Sequence, residues 1–412
     1  MELKNPHLRS LVQSLSSLKS LNLRFVSISS TLPGFFRNLS SLSWLALSYC
    51  GLGGSFPSSL TRLAKLTYLD LGENNFSGHA PSSLQNLTHL TELLLYGNQF
   101  SGPVPSWLGN LTQLTVIDFM ENKLQGSIPQ SIQKLSNLRA FSVYNSNLVG
   151  TVDFDIFLKM KDLTYLNLSG EISALVCNLG SLSFLDISYN NFVGMIPQLC
   201  IHANKWMMID VSENQLQGIL PRSLANCKTL EFLDVSNINW KPAANGSFDF
   251  SKLQMLHLSY NSFTGELPSD YIANLNAMKA FETKDLTYMK ANGIFDVVDY
   301  KGNRLNGQIP KLVGALKALT SLNLSNNMLT GNIPSSLGNL QWLESLDLSH
   351  NKLSREIPLE LTQIGFLQNF SVFYNNLTGR IPDGNQLRTF VNGSFEGNYG
   401  LCGYPLLEDI TP

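Results

Sequence analysis

The chain has 412 residues, with 28 Lys plus Arg against 30 Asp plus Glu and a formal net charge of −2. That balance excludes the basic face a nucleic-acid binder needs, and no apolar run approaches the roughly eighteen residues of a membrane helix. Charged residues make up only 14%, below the usual quarter of a globular protein, with Ser, Asn, Gly and Leu in their place.

Met1-Glu2-Leu3-Lys4 leads straight into polar sequence, so no signal peptide is expected at this end. Residues 1–17 read as the remnant of an earlier coil or as a diverged cap. From Leu18 the chain repeats with a period of about 24 residues, the signature of a stacked solenoid. Fifteen coils open at Leu18, Leu42, Leu66, Leu90, Leu114, Leu138, Leu163, Leu182, Trp206, Leu230, Leu253, Phe295, Leu319, Leu343 and Leu367. In the clearest of them, LTSLNLSNNMLTGNIPSSLGNLQW at 319–342, Leu319, Leu322 and Leu324 stand at positions one, four and six, Asn327 at nine, Gly331 at thirteen and Pro334 at sixteen.

Strand side chains alternate, so the leucines at four and six turn into the core while positions three, five, seven and eight face outward. Asparagine at position nine, present in ten coils, is placed to satisfy buried backbone groups of the turn. One coil cannot bury its own leucines; stacking supplies the missing wall.

Val26 and Cys50 replace the asparagine in the first two coils, and Ser146 replaces it in the sixth, where Asp153 takes the proline position. Cys50 is expected to be a buried thiol and weak donor. The seventh coil, Leu163 to Ser181, has only nineteen residues and lacks its asparagine turn, so local weakness is expected there. The tenth carries Ile238, Pro242 and Asn245 at the Asn, Gly and Pro positions. Leu253 and Phe295 are 42 residues apart, eighteen more than one period, and the polar stretch 277–293 supplies the excess.

The motif LxxLxLxxNxLxGxIPxxLxxL, carried over residues 18–390, resembles the plant extracellular class of leucine-rich repeat. The resemblance implies an α/β-type repeat solenoid: a curved superhelix with a parallel β-sheet on its concave face and about 15 coils of 24 residues. LPSDYIANLNAM (267–278) and DGNQLRTFVNGSFEGNYGLCGYP (383–405) are similar to the island entry and the end cap of plant receptor-like proteins. The implied organisation is repeats 1–11 over 18–276, a short island insert over 277–294, repeats 12–15 over 295–390 and a truncated C-terminal cap over 391–412. In that family the cysteine matching Cys402 pairs with one further on, and a membrane helix follows. Neither is found here, so any membrane link is expected to run through a segment missing from this chain.

The family resides at the plasma membrane and outside the cell. The function it implies is non-catalytic: an ectodomain that binds an extracellular peptide or protein elicitor on its concave face and recruits a co-receptor kinase ectodomain, in defence or development. The alternatives are a secreted solenoid that blocks a microbial cell-wall hydrolase, or an inactive truncated paralogue.

Outward strand positions carry the candidate ligand-binding residues Trp44, Tyr49, Tyr68, Asp70, Glu92, Tyr96, Asp118, Tyr144, Tyr165, Phe184, Asp186, Tyr189 and Asp210. Aromatic anchors beside carboxylates suit a basic or amphipathic partner, although aspartate at position five, found in seven coils, is partly a habit of this repeat. The surface of the last coils resembles the family's co-receptor site, with Asn323, Ser325, Asn326, Asp347, His350, Phe373 and Tyr374 as candidates. Of ten N-x-S/T sequons, Asn38, Asn86 and Asn110 share an outer position and are the best glycan candidates; Asn167 and Asn323 face the inner sheet.

Cys177 and Cys200, in adjacent coils, are a disulfide candidate, and Cys227 is expected to pack as a small buried hydrophobe. No cofactor is implied. Cys200 with His202 lacks further metal ligands, and no phosphate loop, nucleophile elbow or zinc motif occurs. His257 beside Asp234 is expected to be a solvated contact and not a base.

Overall fold

Wherever the repeat sets one aliphatic side chain between two outward ones, a three-residue strand forms. The computed structural model describes residues 15–406, apart from 29–30, 33, 145, 149–150, 153, 158, 169–170, 173–180, 191, 195–204, 220–221, 239, 242–249, 280–295 and 385. It divides into two compact units, Met1–Val193 and Gly194–Pro412. The main sheet strands of the first unit are β1 (Ser20–Asn22), β2 (Trp44–Ala46), β3 (Tyr68–Asp70), β4 (Glu92–Leu94), β5 (Val116–Asp118), β6 (Ala140–Ser142), β7 (Tyr165–Asn167) and β8 (Phe184–Asp186). Those of the second are β9 (Met208–Asp210), β10 (Phe232–Asp234), β11 (Met255–His257), β12 (Val297–Asp299), β13 (Ser321–Asn323), β14 (Ser345–Asp347) and β15 (Asn369–Ser371). Neighbours within each unit pair in parallel, coil to coil, so that Trp44 faces Tyr68 and Leu94 faces Asp118.

The expected core is present. Leu69 and Leu71, Leu93 and Leu95, and Leu322 and Leu324 are each at most 1% exposed. On the outer side, Pro81, Pro105, Pro129, Pro310, Pro334 and Pro358 hold φ between −61° and −73° and lead into five-residue 3-10 helices, for which the fixed ring angle is suited. These helices stack closely. A Cβ on Gly109 would lie 2.3 Å from the Ser131 carbonyl oxygen, so only glycine fits.

Asn98 shows how a turn is closed. Its Nδ2 donates to the carbonyls of Leu71 (2.9 Å), Leu95 (3.1 Å) and Tyr96 (3.0 Å), and its Oδ1 accepts the Phe76 N–H at 3.0 Å. One side chain thus satisfies its own turn and the coil before it. Asn74, Asn122, Asn303, Asn327, Asn351 and Asn375 make the same cross-coil donation. Cys50 stands in as expected: it is buried, its Sγ donates to the Leu23 carbonyl at 3.0 Å, and burial lifts its pKa to about 11.

Three features were not anticipated. A second parallel sheet forms in the first unit from Gly53–Ser55, Asn75–Gly78, Gln99–Pro103, Lys123–Gly126 and Asn147–Leu148. In the end cap, Asn398 repeats the asparagine turn, donating to Val372 and Phe395 carbonyls at 2.9 Å and accepting the Leu377 N–H at 3.0 Å. Cys227 corrects an expectation: it is disulfide-bonded. Its 1% exposure fits a cross-link as well as a hydrophobe, and burial alone does not separate the two. Cys50 and Cys402 are the free cysteines among the described residues; the candidate pair Cys177 and Cys200 lies outside them.

The extra residues after the eleventh coil leave the sheet intact, because β11 and β12 pair directly, Leu256 beside Val298. The chain departs through the helix Ser269–Ala273 and the turn Asn276–Lys279, where Met278 is fully buried and its carbonyl accepts the Ala318 N–H at 2.8 Å. Residues 280–294 lie outside the described residues. The short seventh coil keeps its strand in register, Leu166 between Phe141 and Leu185. No helix among the described residues is long and apolar enough to cross a membrane.

Candidate ligand-recognition face

Aspartate at position five has a local reason to be there. Asp70, Asp118, Asp186, Asp210, Asp234, Asp299 and Asp347 each accept, through Oδ1, the backbone N–H two residues ahead at 2.8–3.0 Å. The bond braces the strand exit, where the next residue turns left-handed: Glu73, Glu121, Tyr189, Glu213, Asn237 and His350 have φ between 50° and 54°. The second oxygen, Oδ2, is left to set each coil's chemistry.

At Asp70 that oxygen is taken. Arg24 Nε and Nη2 donate to it at 2.9 and 2.6 Å, and Ser48 Oγ donates at 3.0 Å. Arg24 Nη2 also donates to the Tyr68 hydroxyl. The guanidinium carbon lies 5.7 Å from the Trp44 ring and 5.9 Å from the Tyr68 ring, and those rings stack at 4.7 Å. Tyr96 closes the box: a Cβ on Gly72 would stand 2.3 Å from its ring, and burial with the Asp70 charge pushes its hydroxyl pKa to about 12. Asp70 is 0% exposed, so the expectation that it meets a ligand is corrected; Arg24 has neutralised it. Arg24 itself was missed. The signal was present in Ala46 and Ser48, whose small side chains on the intervening coil let an arginine reach across it.

Asp186 Oδ2 accepts Asn167 Nδ2 at 3.1 Å, and its Oδ1 also accepts Ser188 Oγ at 2.8 Å. Asp118 differs. Its Oδ1 accepts the Met120 N–H at 3.0 Å, and no cation among the described residues pairs with it. Burial raises its pKa to about 6 against the opposing pull of the Met120 amide and the Ser142 hydroxyl. Trp44, Tyr68, Glu92, Tyr96, Tyr144, Tyr165 and Phe184 are half-buried on the same face, while Tyr49 and Tyr189 stand out at 46% and 70% exposed.

In the second unit, His257 Nδ1 lies 3.0 Å from Asp234 Oδ2, with side chains 28% and 12% exposed. The expected solvated contact is therefore mostly shielded, by the Phe232 ring and by its place between Asp234 and Asp299 in the register. Burial works to lower the His257 pKa, but the hydrogen bond to Asp234 and the charges of Asp234, Asp299 and Asp210 outweigh it and raise it. Asp210 sits one coil before Asp234.

Comparison with known proteins agrees with this geometry. The leucine-rich repeat region family matches residues 1–193, and the leucine rich repeat family matches 252–274, 318–340 and 342–364. Receptor like protein 22 of Arabidopsis thaliana is 53% identical over 194 residues, which cover 40% of this chain and 25% of that protein. The ectodomain of the Arabidopsis receptor kinase HAESA, solved with an extended IDA peptide hormone, is 31% identical, with 94% of this chain and 71% of that one covered and a TM-score of 0.64. The chain belongs to the leucine-rich repeat family. A second HAESA structure, with IDA and the co-receptor SERK1, is 29% identical over 94% of this chain and 74% of that one, with a TM-score of 0.59. The chain spans about a quarter of the length of the curated receptor-like proteins it matches.

Within this leucine-rich repeat chain the co-receptor candidates do not form one kind of surface. Ser325 is 2% exposed and donates to Asn323 Oδ1 at 2.7 Å, which corrects its assignment: its hydroxyl is used internally. Asn323, Asp347 and Phe373 are half-buried, and Asn326 is exposed. His350 and Tyr374 stack at 5.1 Å, with Phe373 edge-on to both. The glycan candidates Asn38, Asn86 and Asn110 are exposed, each the last residue of its 3-10 helix (Gly34–Asn38, Ser82–Asn86, Ser106–Asn110). Asn167, by contrast, is 2% exposed.

Proposed function

We propose that this chain is the recognition part of a receptor-like protein ectodomain. It holds an extracellular peptide or protein against the sheet face of the first unit and engages a co-receptor kinase ectodomain through the last coils, with no catalysis of its own. The observation that carries the reading is the row Trp44, Tyr68, Tyr96, Tyr144, Tyr165 and Phe184, half-exposed on one sheet face beside carboxylates. Such side chains give large contact area with few rotors to freeze. The structures of the similar HAESA ectodomain with IDA, and with IDA and the co-receptor SERK1, support a reading in which a peptide and a co-receptor are both engaged.

Panning a random phage-displayed peptide library on the chain tests it. Binders are expected that the variant Tyr68→Ala/Tyr96→Ala/Asp118→Ala, folded by circular dichroism, no longer holds. Binders indifferent to that variant would move recognition off this face. With such a peptide bound, the SERK1 ectodomain is expected to associate in biolayer interferometry, and His350→Ala/Tyr374→Ala to weaken it. SERK1 binding unchanged by that pair would remove the last coils from the docking role.

A further inference from the structure

We infer that Asp118 anchors a lysine or arginine side chain of the ligand, in a subsite floored by Leu94, Val116 and Met120 and flanked by Tyr96 and Tyr144. This inference rests on the recognition role proposed for the first unit's sheet face and specifies the ligand chemistry it selects.

The register builds the subsite. Leu94 lies beside Asp118 on one side and Ser142 on the other, with Val116 and Met120 two residues away along the chain. Leu94, Tyr96, Val116, Met120 and Tyr144 are all half-buried, so apolar surface surrounds the carboxylate yet stays open to a visitor. Asp118 Oδ1 is used by the Met120 N–H, and the Ser142 hydroxyl acts on the same carboxylate; no cation among the described residues pairs with it. Ser142, 4% exposed, stands beside Asp118 in the register, and its hydroxyl is a neutral donor that brings no charge. A carboxylate drawn partly out of water with neutral donors alone stays uncompensated in charge until a cation arrives.

The other aspartates of this face show what a satisfied site looks like. Asp70 has its guanidinium and Asp186 its amide. Asp118 has the Met120 amide and the Ser142 hydroxyl, both neutral, and the charges that reach it, Asp70 and Glu121, are negative, with Glu92 on the neighbouring strand. Its raised pKa, about 6, is the expected mark of a carboxylate held from water without a cation. A lysine or arginine suits such a place because its methylenes lie along apolar surface while its head reaches the acid, and the tyrosine faces attract the same charge.

The test uses peptides selected on the sheet face as above. They are expected to share one basic residue whose replacement by norleucine weakens wild-type binding roughly 10- to 100-fold and leaves binding to Asp118→Asn unchanged. Affinity of wild type for the parent peptide is expected to fall as pH drops from 7.5 through 6 to 5, while Asp118→Asn shows no such fall. Asp118→Asn keeps the acceptor for the Met120 N–H, so a melt confirms its fold independently. Peptides lost in the triple variant yet needing no basic residue would overturn the subsite alone. A basic residue whose removal costs Asp118→Asn as much as wild type would do the same. Peptides indifferent to the triple variant would overturn both the subsite and the role beneath it.

Discussion

The sheet faces of the two units are written in one repeat and arrive at different electrostatics. In the first, a buried aspartate is locked by an arginine, and another, Asp118, has neutral donors but no cation among the described residues. In the second, Asp234 and Asp299 flank a histidine that they hold toward its charged form. Position five supplies a carboxylate in both because it braces the strand exit. What that carboxylate then does is settled by the side chain one or two coils away.

Removing Arg24 should break the contrast most severely. Arg24→Met leaves Asp70 charged and buried, and should cost about 3 kcal/mol in urea unfolding, somewhat below a fully buried pair because the arginine is a third exposed. Adding Asp70→Asn should recover most of that loss. A single variant as stable as wild type would mean the box contributes nothing.

The two titrating sites should separate along the pH axis. Asp118 has a folded pKa of about 6, above its unfolded value near 3.9. Its contribution to stability is complete below the lower value and lost as pH rises through the upper one. Asp118→Asn should therefore match wild type near pH 4 and exceed it by about 2 kcal/mol at pH 7. A parallel pair of stability curves would show that Asp118 is not desolvated.

His257 works in the other window. Its folded pKa is raised above its ordinary value, so its contribution is present below about pH 6.5 and fades as pH climbs past the folded value. His257→Gln should lose about 1 kcal/mol at pH 6, with the gap closing above neutrality. An NMR titration placing the imidazole below its ordinary pKa would reverse the sign.

The smallest stability effect is expected at Gly72. Gly72→Ala should push the Tyr96 ring off its seat, and because a ring end can swing to solvent the cost should stay under about 1 kcal/mol. Sheet-face peptides should nevertheless be lost. Retained binding would mean the seated Tyr96 is not part of the recognition surface.

Much of the fold was legible because its signals are local and repeated. Leu322 and Leu324 announce the core, Asn327 the turn and Pro334 the outer helix, each at a constant offset. The cap's Asn398 was overlooked because it falls outside the regular spacing. Cys227 was misjudged because a packed thiol and a packed disulfide have the same burial. At the candidate site the residue types were visible, but not their states: Asp70, Asp118 and Asp186 are indistinguishable in the repeat, and Ser325 looked as outward as its neighbours.

The amino-acid order alone determined the coil length, the aliphatic ribs, the bracing aspartates and the aromatic row, since every one of these depends on neighbours within a single period. Only the tertiary structure decided that Arg24 reaches Asp70, 46 positions on, and that no cation among the described residues reaches Asp118. Stacking sets side by side residues that lie whole coils apart, and which side chain is long enough to cross a small neighbour is a matter of space, not of spacing.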